Sequence, residues 1–343
     1  MGFRQFFFLF LIVFPVASYA QIGGERTYQF LDLTNSARVA ALGGVQVSIN
    51  DHTDLNLAYS NPSSLDSGMS GHLLFNYIDY FADIHYGYAS YARTFEGIGN
   101  FAAGMHYIHY GTFTGTTETG ELTGNEFKAA EYALNLIYSN HYGRLRYGAI
   151  LKPVYSVFES YASFGLATDL GISYLSKNGL TNAGLVVRNL GIQLSTYYQD
   201  GNRERLPFDL QAGLSGKLAH APVAIHITAH HLNHWDLANP DPDEETADEV
   251  IIYEPQESFG KQIMRHLVLG IELLPSKNFT LRAGYNYQRR QELMLGERTS
   301  TVGFSLGFGI HINRFRLDFA TSRFHLAGSS NLISLAVNLN DVF

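Results

Sequence analysis

The segment from Ser163 to Leu175 alternates between two kinds of side chain. Phe164, Leu166, Leu170, Ile172 and Tyr174 fall on one parity, with Thr168 its polar member; Ser163, Gly165, Ala167, Asp169, Gly171 and Ser173 fall on the other. A period of two belongs to a strand with one apolar and one polar face. A soluble sandwich turns the apolar face toward a second sheet, whereas an outer-membrane barrel turns it toward lipid and leaves the small polar face to the lumen.

The alternation recurs. Tyr132, Leu134, Leu136 and Tyr138 share a face, and Leu145, Tyr147, Ala149 and Leu151 oppose Arg144, Arg146, Gly148 and Lys152. Phe279, Leu281, Ala283, Tyr285 and Tyr287 oppose Thr280, Arg282, Gly284, Asn286 and Gln288. The pattern predicts about fourteen strands, near 72–80, 84–95, 98–110, 129–140, 143–156, 162–175, 179–189, 207–218, 222–230, 265–274, 278–289, 301–312, 314–323 and 331–343. An even number is what a bacterial transmembrane barrel requires.

From the third strand on, the connections sort by length. "NHYG", "SKNG", "AHAP", "PSKN" and "INR" make tight joints, while 111–128, 190–206, 231–264 and 290–300 are long. Short turns on one rim and long loops on the other mark an outer-membrane barrel with its short turns periplasmic. Ile333, Leu335, Val337 and Leu339 share the parity of Phe343, so the chain ends on an outward aromatic of the kind read by barrel assembly, although Asp341 interrupts the pattern.

The first residues carry Arg4, an apolar run from Phe6 to Val16, and Ser18-Tyr19-Ala20 as a small-x-small site. This reads as a signal peptide over 1–20, cleaved between Ala20 and Gln21. The run is too short for a spanning helix, which needs about 20 residues. Residues 21–70 break the strand pattern: Ser36 is a plausible N-cap, an alanine-rich turn follows, and Gly43-Gly44 stops it. This segment is expected to fold inward as a plug, leaving 71–343 as the barrel.

Composition then removes alternatives. After Val16 no apolar stretch reaches the length of a spanning helix, and the mean hydropathy of -0.05 is what alternating strands leave. The 22 Tyr and 24 Phe against one Trp suit aromatic girdles at the two interfaces. There is no cysteine, hence no disulfide and no thiolate metal site. A net charge of -8 argues against nucleic acid as a partner.

From Asp236 to Glu257 there are nine acidic residues and no basic one, so the 231–264 loop holds the whole negative excess. A solvated extracellular loop, divalent-cation binding near lipopolysaccharide and docking of a basic partner all suit it; the spacing is not that of an EF-hand.

Candidate chemistry is sparse. His226, His230, His231 and His234 lie within nine positions, but on a strand the first two are about 13 Å apart, too far to share an ion. His230, His231 and His234 converge only if the strand ends there, and no metal is assigned. No "GxSxG" elbow organises the Ser, His and Asp residues, so no catalytic residue, cofactor or enzymatic activity is expected. Arg144, Arg146, Lys152, Asp169, Asp209, Lys217, Glu272, Arg282, Arg316 and Asp318 take the inward parity, because Arg or Lys on the lipid face costs about 2–4 kcal/mol at mid-bilayer. Their mixed signs predict salt-bridged filling around a plug, unlike a one-signed selectivity ring.

"SARVAALGG", "NPSSL", "TDLGISY", "VRNLG", "RLPFDLQAGLS" and "LRAGYNY", in that order, resemble the PorV/PorQ family of the type IX secretion system, within the FadL-like outer-membrane barrels. The likeness covers nearly all of the mature chain, and "NPSSL" leans toward PorQ. The resemblance implies a fourteen-stranded barrel with an N-terminal plug. It further implies a non-enzymatic surface role beside a PorZ-like protein, a sortase-like peptidase and a PorV-like barrel, where cargo is processed and attached to lipopolysaccharide. The alternative is a FadL-like transporter of hydrophobic small molecules, with an apolar pocket by the plug and a lateral gap for which Pro153 and Pro207 are candidate sites.

Overall fold

The computed structural model describes residues 26–80, 84–116, 122–198, 201–237, 258–293, 301–325 and 328–341. The proposed cleavage site at Ala20 and Gln21, most of the acidic loop and Phe343 lie outside them.

Fourteen antiparallel strands close on themselves. They run β1 (His72–Asp79), β2 (His85–Phe95), β3 (Gly99–Thr116), β4 (Leu122–Tyr142), β5 (Leu145–Phe158), β6 (Tyr161–Leu175), β7 (Thr181–Ser195), β8 (Asp209–Lys217), β9 (Val223–Ala229), β10 (Leu267–Leu273), β11 (Phe279–Asn286), β12 (Phe304–Ile312), β13 (Phe315–His325) and β14 (Gly328–Asn338). Each pairs with its chain neighbours, and β1 closes the ring on β14 from His72↔Asn338 to Asp79↔Asn331.

Strand β6 settles which face is inside. Phe164, Leu170 and Tyr174 are 42%, 48% and 50% exposed, while Ser163, Ala167 and Asp169 are buried. An apolar outer wall over a buried polar inner face is the arrangement of a barrel in lipid. The hydrophobic surface is stable outside because its solvent there is hydrocarbon.

Several strand boundaries depart from the pattern. The last strand, expected over 331–343, stops at Asn338 and gives way to a 3-10 turn over Leu339–Asp341, so Leu339 is not part of the outward face. β3 and β4 continue through residues 111–116 and 122–128, within the span read as a loop. That stretch is rich in Thr, Gly and Glu; above the membrane neither face needs to be apolar, so the alternation fades although the pairing persists. Its stacked pair Phe113–Phe127 has centroids 5.3 Å apart. β7 likewise runs on to Ser195. Residues 287–289, read as strand, turn into a helix because the Asn286 side chain accepts from the Arg289 amide at 3.0 Å and caps the turn.

Residues 26–71 pack against the inner wall. Helix α1 (Ala37–Ala41) starts at Ser36, whose hydroxyl accepts from the Val39 amide, and ends at Gly43 and Gly44 with φ of 101° and 95°. A second short helix, α2 (Leu57–Ser60), follows. The α1 amide at Ala37 donates to Ser334 of β14, and Ser63 reaches Ser173 of β6 on another part of the wall. A Cβ on Gly284 of β11 would sit 2.2 Å from the Gly43 nitrogen, so only glycine there admits this approach.

Candidate functional site

The interior is organised by charge. Arg38 of α1 reaches Glu272 of β10 with two parallel bonds, Nε to Oε1 at 2.9 Å and Nη2 to Oε2 at 2.8 Å, and its Nη1 reaches Asp51 at 2.7 Å and Asp54 at 2.9 Å. Arg282 of β11 bonds Glu272 at 2.8 Å and also Asp318 of β13. Arg316 of β13 holds Asp318 at 3.0 Å, Asp51 at 3.1 Å and Asp54 at 3.2 Å. His226 adds a contact to Glu272 at 3.3 Å.

Three guanidiniums and four carboxylates thus form one net, buried except at Asp51 and Arg316, which are partly exposed, joining the N-terminal segment to β10, β11 and β13. Planar guanidiniums suit this because each satisfies several oxygens at once. Burial alone raises the Asp51 carboxyl, but Arg316 and Arg38 outweigh it and hold it well below the usual range. Burial opposes the Arg38 charge, and Glu272, Asp51 and Asp54 more than offset that.

A second cluster sits where the wall is irregular. Lys152 of β5 and Asp169 of β6, both buried, pair at 2.6 Å, and Lys152 also bonds Asn189 at 3.0 Å. Asn189, with φ of 53°, donates its amide to Asp169 at 2.8 Å and its side chain to Asp32 at 2.9 Å. Tyr59 lies beneath Lys152 and Arg188, 5.3 and 5.5 Å from its ring centre. Burial raises the Asp32 carboxyl to about 6, against the pull of Arg188.

Around this cluster the ladders break. β4 and β5 pair at Ala133↔Val154 and resume at Leu136↔Leu151, skipping Pro153, which has no amide to give. The β6–β7 register shifts between Thr168 and Leu170, a bulge at Arg188-Asn189. β7 then pairs with β8 only as far as Arg188↔Asp209, so among the described residues 189–195 have β6 on one side and no strand on the other. Pro207 lies in the segment that turns into this step: Arg205 accepts from the Thr27 amide at 3.0 Å and Leu206 is buried with Tyr28 and Phe30.

A cavity of about 500 Å³ opens beside the ionic net, lined by Arg38, Lys217, Lys277, Arg282, His311 and Arg316 among others. It is polar and adjoins the short β10–β11 turn, unlike the apolar pocket expected of a hydrophobic transporter.

Of the residues given the inward parity, Lys152, Asp169, Asp209, Glu272, Arg282 and Asp318 are buried inside, and Arg146 bonds Asp66 at 2.8 Å. Lys217 is exposed at the cavity. Arg144 is a correction: it lies in the exposed β4–β5 turn, where parity ceases to matter. His226 belongs to the ionic net, apart from His230 and His231, which stand near Asp209. Arg38, Asp51 and Asp54 were missed by the sequence reading; their signal is a lone arginine inside an alanine-rich helix and two acids just beyond it.

No protein-family model and no curated protein matches the chain. Among solved structures it is similar to the toluene transporter TodX of Pseudomonas putida, with a TM-score of 0.52 and 15% identity over 89% of this chain and 98% of that one. A FadL homologue of Pseudomonas aeruginosa covers the same shares at 10% identity with a TM-score of 0.46. At such identity the likeness is one of fold: the chain is a closed fourteen-stranded antiparallel β-barrel with the architecture of FadL-like outer-membrane barrels.

Proposed function

We propose that this barrel is a non-enzymatic component of the type IX secretion system, with residues 26–71 as its plug, anchoring soluble partners that process and attach secreted cargo. The observation that carries the anchoring role is the bolted interior: Arg38, Asp51 and Asp54 of the plug are ion-paired with Glu272 and Arg316 of the wall. Such a lumen serves as ballast more readily than as passage. The assignment to type IX secretion rests on the ordered motifs from "SARVAALGG" to "LRAGYNY". Lipid fixes the barrel, and its loops and rims raise the effective concentration of a PorZ-like protein, a sortase-like peptidase and a PorV-like barrel near passing cargo.

The test is the surface and periplasmic proteome of a strain lacking the protein. Cargo retaining its C-terminal signal in the periplasm, or shed instead of anchored, supports the proposal; unchanged cargo contradicts it.

A FadL-like transporter of hydrophobic small molecules is the second reading, and on the structural comparisons alone it is the better supported. The step at β7–β8 favours it, since Leu190, Ile192 and Leu194 border an interrupted wall. A deletion phenotype confined to uptake of a hydrophobic nutrient selects this reading.

A further inference from the structure

His230 and His231 follow one another at the end of β9, where an extended chain would send them to opposite faces. His231 instead has a φ of 53°, uncommon for a residue with a Cβ. That turn brings both imidazoles to the same side, their ring centres 4.5 Å apart, and both face Asp209 at the start of β8. One ligand atom from each of Asp209, His230 and His231 falls within 4.8 Å of the others.

The surroundings hold this group in place. The His231 amide donates to Asp209 Oδ1 at 2.6 Å, and Gln211 donates to Oδ2 at 2.5 Å, fixing the carboxylate. The His230 backbone is clamped on both sides, its amide to the His266 carbonyl at 3.0 Å and its carbonyl to His266 Nδ1 at 2.8 Å. His230 is 5% exposed, yet its Nε2 has no hydrogen-bond partner. This buried ring nitrogen is open to an ion, which would supply the missing contact.

We propose that Asp209, His230 and His231 bind one divalent transition metal, zinc by preference. Two imidazoles and a carboxylate form a donor set suited to zinc, leaving a coordination position for water on the side where His231 is partly exposed. The His231 Nδ1 to Asp209 Oδ1 separation of 3.6 Å is close to the edge of a coordination tetrahedron, so small ring movements complete the site. Gln211 and the His231 amide orient the carboxylate in the manner of outer hydrogen bonds at metal centres. The ion would tie the start of β8 to the end of β9, beside the step where β7 loses its neighbour. This holds whichever of the two functional readings applies.

The test is a cobalt titration of the purified, tag-free barrel in detergent after chelator treatment, followed by visible absorption and competition with zinc. One equivalent of cobalt giving d–d bands that zinc removes is expected. His230→Ala and His231→Ala should each weaken binding at least tenfold, Asp209→Asn likewise, and His234→Ala should leave it unchanged. A heat-modifiable gel shift checks that each variant is folded. Absence of the bands in the parent, or equal binding in folded His230→Ala and His231→Ala, overturns the proposal.

Discussion

Arg38 and Glu272, 234 residues apart in the chain, meet through two parallel guanidinium–carboxylate bonds inside the barrel. This pair joins the N-terminal segment to β10, and Arg282 and His226 converge on the same carboxylate. Glu272→Ala therefore removes a carboxylate shared by two buried guanidiniums, leaving Arg38 with Asp51 and Asp54 and Arg282 with Asp318. Breaking a buried ion pair by removing one partner costs about 3–5 kcal/mol. With those partners remaining, the variant should be less stable than its parent by at most that amount, read from denaturant unfolding in detergent or vesicles.

Two carboxyls of the interior segment give stability opposite dependences on pH. Asp51 is held below its unfolded value, near 3.9, so its contribution is full above about pH 4 and is lost as pH falls below it. Asp32 is raised to about 6, so its contribution is full below about pH 4 and is lost as pH rises through 6. Asp32→Asn should flatten the stability profile between about pH 4 and 6 while leaving the acid limb intact. A profile unchanged by the substitution contradicts the burial of that carboxyl.

Gly284→Val tests the seat of the N-terminal segment. The new side chain would collide with the Leu42 and Gly43 backbone, at 2.2–2.7 Å already for its Cβ. The barrel is expected to assemble, while limited proteolysis cuts within residues 26–71 faster than in the parent.

Leu170→Arg tests the outer face. Leu170 lies midway along β6 and is 48% exposed on the lipid side. The substitution should destabilise the barrel by about 2–4 kcal/mol in vesicles. A neutral result would place that face away from lipid.

The barrel was legible because lipid imposes a period of two on every spanning strand, as in Phe164 to Tyr174. Where that demand ends, the signal ended: β3 and β4 continue above the membrane on Thr, Gly and Glu with no apolar face to betray them. The inward charges Lys152, Glu272 and Arg282 were readable from parity, but their partners were not. Arg38 finds Glu272 through the closed ring of strands, and no local pattern encodes a contact across 234 positions. The step at β7 was equally hidden, since it depends on the left-handed Asn189 and on where β8 begins. On a strand His226 and His230 are too far apart to share an ion, and His230, His231 and His234 converge only if the strand ends there. β9 does end at Ala229, and the turn at His231 brings His230 and His231, without His234, to Asp209, a partner no local pattern announced.

Under the anchoring proposal the barrel acts with its interior segment locked. Ser48 and Ser215 are hydrogen-bonded at 2.7 Å between the segment and β8, and the chain has no cysteine of its own. Ser48→Cys with Ser215→Cys should form a single disulfide that pins the segment to the wall. The measurement is cargo attachment at the cell surface with this bond oxidised and then reduced. Full attachment in the oxidised form is the predicted result; attachment lost on oxidation and restored by reductant would show that the lumen must open.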